Sequence, residues 1–250
     1  MFRLRSLVPV VACLLCAVPA GAQISRDANE NTAVGAHFGD NTQTLAFSGT
    51  APASGALVIA SVVRLATTDD FETPTATNIT FNATSCVATR TGLRGERWWG
   101  IATGTVGNVT FTTTGSDASI DKLRIYSFTS TAGWPADPTD GCDGDETASD
   151  TAHDVGSTLT TTGGAGVVYE CQAFLAIAST SFTLDASYTT LTGTANQEVA
   201  GTFITTAGTN DCNSTSGNAQ ASITILTAYK ENSGAPATGH GRLSTLGVGE

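Results

Sequence analysis

The sequence predicts an all-β protein, a single-domain antiparallel β-sandwich of the Ig-like or jelly-roll-like kind. Three observations favour this class. Only 13% of the residues are charged, and threonine, which packs well on pleated surfaces and poorly in helices, is abundant. Apolar and polar residues alternate in many short segments. Turn-forming residues separate these segments, and no amphipathic helical pattern lies between them.

Ten segments carry the strand pattern, and alternation divides each into two faces. In residues 121–130, Leu123 and Ile125 point to one face while Arg124 and Tyr126 point to the other. The predicted strands are residues 42–49, 55–65, 77–84, 96–103, 107–115, 121–130, 166–178, 181–191, 199–207 and 219–230. They predict one sandwich domain over residues 32–230, without a strict internal sequence repeat.

The first 22 residues have the pattern of a signal peptide. Arg3 and Arg5 precede a short apolar run, and Ala20-Gly21-Ala22 supplies the small residues of a cleavage site. The run is too short to remain as a membrane span. We therefore expect the mature chain to be secreted, whether extracellular, at the cell surface or in the periplasm. It would begin with an extended segment, 23–31, and end in a flexible tail, 231–250.

The mature chain is strongly acidic. Residues 1–22 carry two of the 11 basic residues and none of the 22 acidic ones, so their removal leaves a formal charge of −13. Such a surface repels phosphate backbones, which argues against a nucleic-acid partner. No later segment is apolar enough to predict a membrane span.

Four cysteines remain after the signal peptide: Cys86, Cys142, Cys171 and Cys212. An even number in an exported protein predicts two disulfides, and three pairings are open. We favour Cys142 with Cys171 and Cys86 with Cys212, which a peptide map distinguishes from the other two. A zinc site would need close cysteine pairs, and these four lie far apart.

Residues 131–165 interrupt the strand pattern and predict a long acidic loop. Within it, "DPTDGCDGDE" places five carboxylates beside two glycines in ten positions. Oxygen ligands at glycine turns suit a structural Ca²⁺ ion, and clustered carboxylates repel one another until a cation binds. The alternative is a solvated loop held by its cysteine. The candidate metal ligands are Asp137, Asp140, Asp143, Asp145 and Glu146.

Two tryptophans are candidates for a sugar-binding platform. Trp98 and Trp99 are neighbours in a strand, so one points inward and one outward. An outward Trp99, together with Trp134 on the acidic loop, would offer ring faces to a glycan. Alternatively, these rings belong to the core, where large aromatic side chains usually lie.

The sequence lacks the local signatures of common catalytic sites. It contains no G-x-S-x-G serine elbow, no H-E-x-x-H zinc motif and no phosphate-binding glycine loop. The paired carboxylates of a glycosidase need a rigid frame, which a glycine-rich loop does not provide. We therefore expect no enzymatic activity, and a secreted hydrolase ranks third among the functions considered.

The order of strands resembles a family of β-sandwich modules found in secreted bacterial surface proteins of the adhesin type and in phage or virus structural proteins. The resemblance rests on "SGALVIASVV", "ATNITFNAT", "RWWGIATGTVGNVTFTTTG", "DKLRIYSFTST" and "ASITILTAYK". It implies adhesion or structural assembly, with cell-surface glycans or proteins, or the chain itself, as partners. The second candidate is a calcium-dependent carbohydrate-binding module.

The mature N-terminus offers a route to self-assembly. Residues 23–31 precede the first predicted strand, and an extended terminus can add a strand to a neighbour's open sheet, giving a homopolymer. The alternative is a mobile leader.

Overall fold

The computed structural model describes residues 24–36, 42–65, 71–84, 86–90, 92–112, 120–161, 166–191 and 197–233. In these ranges the chain forms strands and turns and contains no helix, so the predicted all-β class is confirmed. These residues therefore include no helix long and apolar enough to cross a bilayer. The predicted signal peptide and most of the predicted tail lie outside the described residues.

Seventeen strands occur in chain order. Their bounds are β1 Ile24–Arg26, β2 Asn31–Ala36, β3 Thr42–Leu45, β4 Leu57–Arg64, β5 Asn82–Ala83, β6 Ala88–Arg90, β7 Leu93–Ile101, β8 Val109–Thr112, β9 Ile120–Ser130, β10 Thr139–His153, β11 Leu159–Thr160, β12 Val167–Leu175, β13 Phe182–Leu184, β14 Thr189–Thr190, β15 Glu198–Thr205, β16 Thr209–Asn210 and β17 Ser214–Lys230.

Two large antiparallel sheets pack face to face. The first sheet has the order β1-β9-β4-β7-β5, with β2 also on β9 and β6 also on β7. The second sheet has the order β10-β17-β12-β15-β14, with β13 also on β17. Their central strands, β4 and β12, are buried along their whole length because both of their faces are covered.

Each large sheet carries a small two-stranded sheet on its outer side. The first cover, β3 with β8, packs Leu45 and Phe111 against Trp98 of the first sheet. The second cover, β11 with β16, places Leu159 against the outer cluster that contains Tyr169 of the second sheet. The sandwich therefore has four layers, and each large sheet packs against an apolar cluster on both sides.

The inner layer between the large sheets has two apolar ends. Ile59 and Tyr126 meet Val168 and Tyr229 at one end. At the other end, Val63 and Leu93 of the first sheet meet Phe174, Ile223 and Ile225 of the second sheet. Because residues 57–59 lie near 168 while Val63 lies near Phe174, β4 and β12 run in the same direction across the interface.

The two sheets share one topology. In the first, β4 lies between β9 and β7, and in the second, β12 lies between β17 and β15. On the outer side of the first sheet, β3, which precedes β4, pairs with β8, which follows β7. On the outer side of the second, β11, which precedes β12, pairs with β16, which follows β15. The chain thus consists of a first module, residues 24–130, and a second module, residues 139–230, joined by residues 131–138. This structural repeat has no counterpart in a visible sequence repeat.

Two predicted segments differ from expectation. The predicted loop 131–165 contains β10, a 15-residue edge strand that pairs with β17, so a loop is the wrong description for Thr139–His153. The long-range pairing overrides the poor strand propensity of Asp and Gly. The predicted extended segment 23–31 includes β1, which pairs with the chain's own β9.

Candidate functional site

All four cysteines of the described residues form disulfides, as the sequence predicts, but the favoured pairing is wrong. Cys86 bonds to Cys142, and Cys171 bonds to Cys212. The reason is topological: Cys142 is aligned with Thr227 and Glu170 on the inner face of the second sheet, whereas Cys171 points to its outer face. Cys142 instead meets Cys86, just before β6, where the edges of the two large sheets adjoin. The first bond links the modules, and the second links a sheet to the segment beside its cover.

The five acidic candidates lie before and along β10 and have separate partners. Asp140 forms an ion pair with Lys230 at 2.7 Å, and Glu146 forms one with Arg90 at 3.5 Å. Asp143 accepts hydrogen bonds from Ser157 and from the amide of Gly144. The other two accept hydrogen bonds from the backbone one or two residues further on: Asp137 from Thr139, Asp145 from Glu146.

This arrangement does not assemble the predicted calcium site. An extended strand advances by about 3.3 Å per residue and turns successive side chains to opposite faces, so the carboxylates spread instead of converging. Among the described residues, no group of three or more His, Cys, Asp or Glu side chains is placed to hold a metal ion. Ca²⁺ binding stays a prediction from sequence, and β10 provides another reason for the acidic residues. Charged side chains on an edge strand discourage pairing with another chain.

The two candidate sugar-binding tryptophans are core residues. Trp99 is 6% exposed and Trp134 is 9% exposed, and both belong to the apolar cluster between the large sheets. Trp98 points to the opposite face, as alternation predicts, but there it is covered by the first cover. Neither Trp98 nor Trp99 faces solvent because the strand is covered on both faces, and the alternative that these rings belong to the core is confirmed.

The most unusual chemical feature is a charged layer between the two apolar ends of the interface. Arg97 and Glu170 are fully buried, and Arg97 Nε lies 3.1 Å from Glu170 Oε2. Arg97 Nη1 also donates a hydrogen bond of 2.5 Å to Thr227 Oγ1. Arg97 thus reaches from β7 of the first sheet to both β12 and β17 of the second.

A second group of charges continues this layer. Arg124 of β9 forms an ion pair with Glu30 and lies 3.3 Å from Glu198 Oε1 on β15. Gln172 Nε2 donates a hydrogen bond of 2.8 Å to the same Glu198 oxygen. Lys122 extends over the ring of Phe174, 5.6 Å from its centre. We call Arg97, Arg124, Glu30, Glu170, Gln172 and Glu198 the ionic layer.

Burial changes the acidity of this layer. It raises the pKa of Glu170 to about 7, against the lowering effect of Arg97 and Arg124. Burial also lowers the pKa of Lys122, although Glu198 opposes that shift. Because the folded state holds the Glu170 proton more tightly than the unfolded chain, this contribution to stability is present below the ordinary value of 4.5. It is lost as the pH rises through about 7.

Sequence reasoning missed the ionic layer, although a signal existed. Arg97, Arg124 and Glu170 each stand as a charged residue on the inner face of a strand rich in apolar side chains. Charged side chains are seldom fully buried unless they are paired. Opposite charges in separate buried strands therefore indicate ion pairs across a sheet interface.

His153 forms a second buried polar cluster, where β10 meets the beginning of β17. The ring is 1% exposed, with Nε2 2.8 Å from Ser216 Oγ and Nδ1 2.8 Å from Ser222 Oγ. Phe182 packs edge-on against it. Burial lowers the pKa of His153, while Asp150 and Asp154 oppose that shift. The ring bridges two serine hydroxyl groups, one at each nitrogen.

We expect this histidine to make the protein less stable in mild acid. Below the ordinary pKa of 6.5, the unfolded chain binds a proton at this histidine that the folded state resists. The free energy of unfolding therefore decreases as the pH is lowered. Urea unfolding of the wild type and His153→Gln at about pH 7.5 and about pH 5.5 measures this. Glu170 contributes equally to both proteins, so the difference between them isolates His153. The same pH dependence in both would contradict the expectation.

Comparisons with known proteins add no assignment. No family model, no curated protein and no solved structure matches this chain.

Proposed function

We propose that the protein is exported and has a non-catalytic, structural or adhesive role at the cell surface or in an extracellular assembly. The observation that carries this proposal is the placement of the two disulfides. Cys86–Cys142 fastens the two modules together, and Cys171–Cys212 fastens a sheet to the segment beside its cover. Disulfides form and persist in oxidising compartments such as the periplasm and the extracellular space.

The charged layer supports a cohesive role. Arg97, Glu170 and Arg124 are enclosed between the sheets, where they bond to partners across the interface. A catalytic group needs access to a substrate, whereas a group that positions one sheet on another does not. In the described part of the chain, these charges join the two large sheets.

The edges of the sheets support self-assembly through the N-terminus. β10, the longest edge strand, is acidic and carries register shifts near Gly141 and Asp150, and both features disfavour strand addition. The short β1 and the following β2 occupy the edge of β9 instead. Exchange of these N-terminal strands between copies would give a homopolymer without a new interface.

The test is to recover the protein from its source cells and from their growth medium. We expect an extracellular or surface-bound chain that lacks residues 1–22 and has all four remaining cysteines oxidised, both visible in the intact mass. Sedimentation and electron microscopy of the same material should show ordered polymers or a cell-surface location. A cytosolic protein with free thiols would overturn the proposal.

A further inference from the structure

The ladder registers align the two modules residue by residue. Ile59 of β4 pairs with Trp99 and Tyr126, and Glu170 of β12 pairs with Thr202 and Thr227. Leu57 and Val168 are the first inward-facing residues of β4 and β12, so the second inward-facing residues, Ile59 and Glu170, are matched positions. Trp99 is then equivalent to Thr202, and Tyr126 to Thr227.

The next inward positions along the central strands are Ser61 and Gln172. Ser61 pairs with Arg97 and Arg124, whereas Gln172 pairs with Ala200 and Ile225. Arg97 is therefore equivalent to Ala200, and Arg124 to Ile225. The inward positions that follow Ser61 and Gln172 are Val63 and Phe174. Val63 pairs with Gly95 and Phe174 pairs with Glu198, so Gly95 is equivalent to Glu198.

Contacts between the modules recur when equivalent residues are exchanged. Arg124 meets Glu198, and their equivalents Ile225 and Gly95 also meet, since a Cβ on Gly95 would lie 2.7 Å from Ile225 Cδ1. This recurrence places β9 over β15 and β17 over β7. The modules are thus related by an approximate twofold axis parallel to β4 and β12.

A second pair of equivalents is consistent with the relation. Arg97 bonds to Thr227, and their equivalents Ala200 and Tyr126 share the apolar cluster between the sheets.

The covers repeat a detail as well. Thr44 and Thr110 join their hydroxyl groups across the first cover at 3.0 Å. Thr160 and Thr209 do the same across the second cover, also at 3.0 Å. Each pair is a directly opposed cross-strand pair. The repeat therefore extends from the large sheets to their outer layers.

The ion pairs that join the two modules divide their charges between them, and within the first module Glu30 is paired with Arg124. Three ion pairs that join the modules are Arg97–Glu170, Arg124–Glu198 and Arg90–Glu146, and in each the cation belongs to the first module. By the same equivalences, two copies of the first inner face would place Arg97 against Tyr126 and Arg124 against Gly95, so the arginines would lose their carboxylates. Two copies of the second would place Glu170 against Ala200 and Glu198 against Ile225, so the carboxylates would lose their arginines. Leaving a buried charge without its partner costs about 3–5 kcal/mol.

We infer that the chain is a duplication of one module that associates through its inner face, and that the opposite charges on the two faces select the pairing of first with second module. The partner that fits the inner face of either module is the complementary module, from the same chain or from a second copy. The charges exclude the like module.

The test separates the modules without removing either. A protease site is inserted between Ala136 and Asp137, which are both exposed, in the Cys86→Ala, Cys142→Ala variant, so that the cut fragments are not covalently joined and Cys171–Cys212 stays intact. After unfolding and refolding, native mass spectrometry counts the complexes. We expect the mixed pair to exceed either like pair by at least about tenfold. Full separation of the fragments would overturn the docking surface, and like pairs in statistical proportion would overturn the selection by charge.

Charge exchange identifies the residues responsible. Arg97→Glu or Glu170→Arg alone should abolish that tenfold excess, and the two together should restore it. The control exchanges a pair within the second module, Asp140→Lys with Lys230→Glu, and should leave the excess unchanged. An excess unaffected by the single reversals would show that shape, not charge, selects the pair. If a variant with a single charge reversal does not refold, the ratio of mixed to like pairs in the cut chain without charge reversals still tests the docking surface and the selection by charge.

Discussion

Replacing Glu170 by leucine is expected to lower the free energy of unfolding by about 3–5 kcal/mol. Glu170 is fully buried and faces Arg97, which is also fully buried, at 3.1 Å. The variant would leave the Arg97 charge inside the sandwich without its carboxylate, and an uncompensated buried charge is costly. Urea unfolding at about pH 7.5 measures the loss.

The double variant Arg97→Leu with Glu170→Leu gives the internal comparison. Replacing a buried ion pair by packed apolar residues is often neutral or stabilising by about 1–4 kcal/mol, so the double variant should recover most of the loss. Arg90→Leu with Glu146→Leu is the matched surface pair, with side chains 24% and 51% exposed. It should change stability by about 1 kcal/mol or less. A Glu170→Leu protein as stable as the wild type would contradict the role assigned to the pair.

The strands with clear alternation were predictable from local sequence. Residues 55–65, "GALVIASVVRL", predict a strand, and β4 occupies most of that segment. Residues 219–230 likewise fall within β17, and all ten predicted segments contain described strand residues. Side chains that are β-branched or aromatic favour the pleated conformation wherever the strand lies, so the signal is local.

β10 was not predictable in this way. Its Asp and Gly residues are depleted in strands, and its conformation depends on pairing with β17, far along the chain, and on the bond to Cys86. The same reason explains why the five acidic candidates lie apart in the structure, because carboxylates that would converge on a loop diverge on a strand. The two-residue strands β11 and β16 are too short for any alternation to be visible.

The module repeat was hidden because equivalent positions carry different chemistry. Arg97 is equivalent to Ala200 and Gly95 to Glu198, so conserved topology coexists with unrelated side chains. Each charged position makes sense only with the residue opposite it on the other sheet. Sequence alone does not place one sheet on the other, and the complementary charges became recognisable only once the sheets were packed.

Replacing Cys86 and Cys142 together by alanine is expected to lower the free energy of unfolding by about 4 kcal/mol. The bond spans 56 residues and joins the two modules, so its removal frees a large loop in the unfolded chain. In the folded state the ionic layer and the apolar clusters still hold the modules together, so the variant should fold. Urea unfolding of the oxidised wild type and the variant measures the difference.

Cys171→Ala with Cys212→Ala separates loop entropy from packing. This bond spans 41 residues, so the loop contribution is again about 4 kcal/mol. Both cysteines are fully buried among Tyr169 and Leu226, however, and the shorter alanines would leave a cavity. The second pair should therefore cost more than the first, whose cysteines are only partly buried. The role of Cys86–Cys142 as a brace between the two modules would be refuted by either of two results. One is a peptide map that joins Cys142 to Cys171, and the other is a Cys86/Cys142 variant as stable as the wild type.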